Sequence, residues 1–98
     1  MPDDRDLLPF EEEGSESIRL IRRQWHEGRW FFSVVDVVAI LTDSADPGNY
    51  WAQLKRRVRD EGFREVVTKC HPLKMRSLDG KSYKTDAADS ETMLRIVH

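Results

Sequence analysis

The 98-residue sequence holds a single cysteine, Cys70, which excludes an internal disulfide framework. No apolar run approaches the length of a membrane span; the longest, Val34–Leu41, is interrupted by Asp36. Met1–Asp6 is acidic and lacks the basic-then-apolar pattern of a secretory signal. These absences set the expectation of a cytoplasmic protein with no membrane partner. The five glycines form neither a phosphate-cradling loop nor a hydrolase elbow. A zinc site wants four ligands at short paired spacings, and one cysteine with His26, His71 and His98 scattered along the chain does not supply them. Cys70 and His71 are adjacent, yet neighbours on an extended chain point to opposite faces, so they make a poor nucleophile–base pair. Asp43, Asp46, Asp60, Glu61 and Glu65 fall at expected helix ends and loops, where capping accounts for several of them. The expectation is a protein that is not an enzyme and takes no cofactor and no metal.

What is abundant is charge, 35% of the residues, and it is unevenly placed. Residues 1–16 carry seven acids and one base, a net of −6, while residues 17–98 carry fifteen bases and eleven acids, a net of +4. The first segment, with Pro2, Pro9 and Gly14 among like charges, reads as an acidic flexible tail in which Leu7, Leu8 and Phe10 dock locally. The basic remainder suits a polyanionic partner, which the overall charge of −2 conceals.

Residues 17–98 read as one small α+β domain. Ile18–Phe32 is a β-hairpin turning at Glu27-Gly28, with Trp30 and Phe32 on one face. Ile18, Leu20, Ile21 and Trp25 do not alternate cleanly, which leaves a bulge or burial on both faces open. Ser33 caps a helix carrying Val34, Val37, Val38 and Leu41 and stopping near Thr42. Asp46-Pro47 starts a second helix, expected to reach about Asp60 with Gly62 beyond its end. Tyr50, Trp51, Leu54 and Val58 are its apolar face, Lys55, Arg56 and Arg59 its opposite face, and Gln53 and Arg57 its flank. The short polar connection makes the two central helices helix-turn-helix-like. Glu65–Thr68 is a candidate strand. Leu73–Leu78 and Lys81–Thr85 form a second hairpin around Asp79-Gly80. Asp86 or Asp89 caps a C-terminal helix containing Met93, Leu94, Ile96 and Val97, which ends while still apolar.

The sharpest chemical feature is Lys55-Arg56-Arg57-Val58-Arg59, with Arg64 and Lys69 close behind. Such a helix neutralises phosphates, and arginine can read guanine through two parallel hydrogen bonds. Gln53 and Asn49 are candidates for base or phosphate contact near the helix start. The same charges also fit a solvated face that keeps the protein soluble. Arg19, Arg22, Arg23 and Arg29 make a second basic group on the first hairpin, which fits a groove-entering ribbon or an ordinary charged sheet surface. Trp25, Trp30 and Trp51 are capable of stacking on single-stranded bases, but their apolar surroundings favour core packing.

Several of these motifs, in this order, resemble the Bro-N family. Trp30-Phe31-Phe32-Ser33-Val34-Val35-Asp36-Val37-Val38 looks like its strand-to-helix junction. Asp46-Pro47, Asn49-Tyr50-Trp51 and Leu54-Lys55-Arg56-Arg57 match the pattern of one branch. Lys74-Met75, Asp79-Gly80-Lys81, Thr85-Asp86 and Thr92-Met93-Leu94-Arg95-Ile96 follow the same branch. The resemblance covers residues 17–98. It implies the DNA-binding N-terminal domain of baculoviral Bro proteins and phage antirepressor-like regulators, with no catalytic residues and no cofactor. Relatives continue into a further turn and a tryptophan-containing helix, so the expectation is a domain cut short at its C-terminal end, with association of copies over the last helix. The site residues expected for DNA are Gln53, Lys55, Arg56, Arg57, Arg59, Arg64, Lys69, Arg22 and Arg23. Duplex DNA is the expected partner, and a repressor protein is the alternative.

Overall fold

The computed structural model describes residues 7–11, 18–57, 59–77 and 79–97. Five strands and four helices follow in the order β1 (Leu7–Glu11), β2 (Ile18–His26), β3 (Arg29–Ser33), α1 (Val34–Thr42), α2 (Pro47–Arg56), α3 (Glu61–Thr68), β4 (His71–Arg76), β5 (Ser82–Ala88) and α4 (Ser90–Val97). The strands form one sheet in the order β1-β2-β3-β5-β4, with every neighbouring pair antiparallel. This is the expected α+β domain of two hairpins, central helices and a last helix. No described helix is long and apolar enough to cross a membrane.

Local chemistry sets the boundaries. Glu27 and Gly28 both take positive φ, 50° and 84°, the conformation a two-residue hairpin turn needs. Their register runs without a bulge from Arg23 opposite Phe32 to His26 opposite Arg29. Ser33 caps α1, its side chain accepting from the Asp36 N–H at 3.3 Å. Asp46 caps α2 by accepting from Asn49, and Pro47 occupies the first helical turn. The last cap falls to Asp89, which accepts from the Thr92 N–H at 2.8 Å, because Asp86 is still inside β5.

Three expectations are corrected. Leu7–Glu11, read as part of a loose tail, is an edge strand paired along its length with Ile18–Arg22 of β2. The rest of that segment lies outside the described residues, as do Val58, Leu78 and His98. The second helix ends at Arg56 rather than near Asp60. Asp60 starts a new helix by accepting from the Gly62 N–H at 2.8 Å, so Gly62 marks a beginning and not a terminus. Glu65–Thr68 is therefore helical. Its valines suggested a strand, but Phe63, Val66, Val67 and Cys70 recur at helical spacing, with Val66 buried and the others packed on the core.

The core has two parts. Val34, Val38, Trp51, Ala88 and Met93 join α1, α2 and α4 to β5, with Phe32, Leu54 and Ile96 around them. Phe31, Leu73, Met75 and Ala87 form a second cluster within the strands. The sheet curls over this second cluster. Arg22 of β2 reaches the Arg76 carbonyl of β4 at 3.4 Å, and the rings of His26 and His71 lie 6.0 Å apart, although two strands separate β2 from β4 in the sheet order.

Candidate nucleic-acid interface

The end of α2 and the start of α3 present the largest group of exposed arginines named in the sequence. Arg56 ends α2, Arg57 caps it, Arg59 lies in the connection and Arg64 is in the second turn of α3; all four are exposed. None has a carboxylate partner among the described residues. Gln53 is exposed as well, and with Asn49 and Arg56 it occupies positions i, i+4 and i+7 on the outward face of α2. Asparagine, glutamine and arginine are the side chains that make paired hydrogen bonds to adenine and guanine edges. Tyr50, expected on the apolar face, is 46% exposed beside this row.

Four of the residues expected to contact DNA are engaged elsewhere. Lys55 stands four positions after Trp51, hence on the same face of α2 and not on the opposite one. Its Nζ donates to Asp86 Oδ2 at 2.6 Å, and that oxygen also accepts from the buried Trp51 Nε1 at 2.8 Å. Burial pushes the Asp86 carboxyl up, but the hydrogen bonds from Lys55 and Trp51 and the lysine charge outweigh it and hold the group below the usual range. Lys55 is thus a fastener between α2 and β5. Arg22 grips Asp36 of α1 through Nε at 2.9 Å and Nη2 at 3.0 Å, and its Nη2 also reaches the Ser33 hydroxyl at 3.4 Å. That fork ties β2 to the start of α1 and is largely shielded from solvent. Arg23 stacks on the Trp30 ring, 4.2 Å from its centroid. Lys69 pairs with Glu65 one turn earlier on α3, at 3.5 Å. From the first hairpin, Arg29 is held by Asp89 at 2.8 Å, while the side chain of Arg19 lies outside the described residues.

The tryptophans divide. Trp51 is 2% exposed and belongs to the core, but Trp25 is 57% exposed and meets Trp30 edge-on at 5.4 Å. This corrects the expectation that all three pack inside: Trp25 lies on the face of β2 opposite His26, which is the side chain that meets Phe31 and His71. Cys70 is half-buried, its thiol donating weakly to the Val66 carbonyl at 3.7 Å. Burial, reinforced by the nearby Asp86 charge, pushes that thiol up to about 11. Among the described residues no three histidine, cysteine, aspartate or glutamate side chains converge as a metal would require.

A second cationic row escaped the sequence reading. On β4 the exposed Lys74 and Arg76 alternate with the buried Leu73 and Met75. Lys84 of β5 lies directly opposite Lys74, and both are exposed. Period-two alternation in Leu-Lys-Met-Arg was the available signal, but the facing of two lysines emerges only from the strand register. Comparison of the chain with protein-family models, curated proteins and solved structures returns no match.

Proposed function

We propose that the chain is a duplex-DNA-binding domain of a phage or prophage antirepressor-like transcriptional regulator, acting in the cytoplasm. The observation that carries this reading is the group Arg56, Arg57, Arg59 and Arg64, exposed and without carboxylate partners among the described residues, next to the outward Asn49–Gln53–Arg56 row. Water and salt screen the repulsion among exposed arginines, so they remain unpaired at little cost and are free to meet phosphates, where binding releases the counterions of the duplex. Gln53 and Arg57 are the candidates for base contact, and Arg56, Arg59 and Arg64 for phosphates. The antirepressor role rests on the resemblance to Bro-N domains alone.

Fluorescence anisotropy with a labelled duplex tests the reading. Neutralising three to five phosphates gives log K against log salt a slope of roughly −3 to −4.5. The Arg56→Ala/Arg57→Ala/Arg59→Ala variant flattens that slope while its melting temperature stays near the parent's. A folded triple variant with an unchanged slope refutes the site.

A second reading, contact with a protein, is favoured by α4. Met93 is buried and Ile96 packs on the core, but Leu94 and Val97 are 60% and 40% exposed on one side. A repressor or a second copy of the chain covering these residues gives a sedimentation equilibrium profile that Leu94→Gln alters. Identical profiles for parent and variant, alone and mixed with a candidate repressor, remove this reading.

A further inference from the structure

We infer that the outward face of the β4–β5 ribbon is a second DNA-contact element, seating phosphates of the same duplex that the α2–α3 arginines engage; the inference rests on the DNA-binding reading above. Lys74 and Lys84 face each other directly across the antiparallel pair, both exposed and neither with a carboxylate partner among the described residues. Like charges placed directly opposite destabilise a strand pair, so the protein carries an avoidable strain here. Arg76, two positions along β4, extends the row on the same face, opposite Ser82. The only acid on that face of β5 is Asp86, and Lys55 already neutralises it at 2.6 Å.

Placement supports the assignment. β3 pairs with β5 only at Ala87 and Ala88, so at Lys74, Arg76 and Lys84 the sheet ladder is two strands wide; the inner face of this ribbon packs on Phe31 through Leu73 and Met75 and meets Arg22 of β2 at the Arg76 carbonyl, and its outward face carries the three cations. Two-stranded ribbons of this kind fit a major groove. The ribbon is also contiguous with α2. Lys84 lies two residues from Asp86 on the same face of β5, a displacement of about 7 Å, and Asp86 is where α2 is fastened through Trp51 and Lys55. The cationic row therefore begins beside the last turn of α2 and continues outward along the ribbon.

Edge protection is the competing account, since lysines on strand edges discourage sheet-to-sheet association. A lysine facing a glutamate guards an edge equally well, and that difference makes the test. Lys84→Glu converts the opposed lysines into an ion pair. It is expected to raise the melting temperature by about 2–5 °C and to weaken duplex binding at low salt by about three- to tenfold. The Lys74→Gln/Arg76→Gln/Lys84→Gln variant is expected to flatten the salt slope by roughly 2–3, about 0.9 for each phosphate lost. Full affinity and slope in that variant, with the parent binding and the Arg56/Arg57/Arg59 variant weakened, overturn the inference and leave the helix site standing. Failure of the parent itself to bind duplex overturns both.

Discussion

Replacing Asp86 by alanine probes the fastener that fixes the helices on the sheet. In the parent, Asp86 Oδ2 accepts from Trp51 Nε1 at 2.8 Å and from Lys55 Nζ at 2.6 Å. Asp86→Ala leaves the indole N–H of a side chain only 2% exposed without its acceptor. Stranding such a donor costs about 1–3 kcal/mol. Loss of the partly exposed ion pair adds up to about 1 kcal/mol, since Lys55 is free to turn toward solvent. The sum, about 1–4 kcal/mol, lowers Tm by roughly 4–30 °C for a domain of this size. Asp86→Asn keeps an oxygen for the indole and forfeits only the charge, so its loss is about 1 kcal/mol or less. Thermal and urea melts of the two variants provide the comparison. If Asp86→Ala and Asp86→Asn melt together, or if both stay within about 2 °C of the parent, the fastener argument is wrong.

The same group governs acid stability. Asp86 and Asp89 both have carboxyls held below the usual range, Asp89 chiefly by the Thr92 backbone N–H of its helix cap, with further help from Arg29. A depressed folded pKa gives stability that is present above the unfolded value near about 3.9 and lost as pH falls through the folded one; urea melts between pH 6 and pH 2 should show the loss, shallower in Asp86→Asn. Arg22→Ala is expected to cost about 2–3 kcal/mol by leaving the shielded Asp36 carboxylate without its fork, with Arg22→Lys a poor substitute and the DNA salt slope unaltered in both. Cys70, with its thiol raised to about 11 from an ordinary 9.0, is expected to react with iodoacetamide at pH 8 about a hundredfold more slowly than a free thiol, on ionisation alone; equal rates would place the thiol in solvent. Glu27 occupies a left-handed turn position at φ 50°, so Glu27→Asn is expected to raise stability by about 0.5–1 kcal/mol in denaturant titrations.

The fold was legible wherever a local rule acted alone. Glu27-Gly28, Ser33, Asp46-Pro47 and Asp79-Gly80 each announce a turn or a helix start through backbone chemistry that needs no distant partner. Legibility failed where two rules met on the same residues. Val66 and Val67 prefer strands, yet the stripe Phe63–Val66–Val67–Cys70 lets α3 bury a face, and burial outweighs a propensity difference of less than about 1 kcal/mol. Gly62 taken alone signals a stop, whereas Asp60 two positions earlier makes the segment a start. The candidate site was legible in composition but not in assignment. Lys55 and Arg22 look like their basic neighbours in sequence, and only the partners Asp86 and Asp36, distant along the chain, separate fasteners from exposed cations. Lys74 and Lys84 stand ten positions apart, and nothing before the strand register tells that they face each other.

Exposed cations on α2, α3 and the β4–β5 ribbon are proposed to form one surface for duplex DNA. An NMR titration of the isotopically labelled protein with a short duplex at low salt tests it most directly. Backbone amide shifts are expected to concentrate at Gln53, Arg56, Arg57, Arg59, Arg64, Lys74, Arg76 and Lys84, to diminish as salt is raised, and to leave Arg22 and Leu94 in place. Shifts confined to α4, or no shifts at a large excess of duplex, would contradict it.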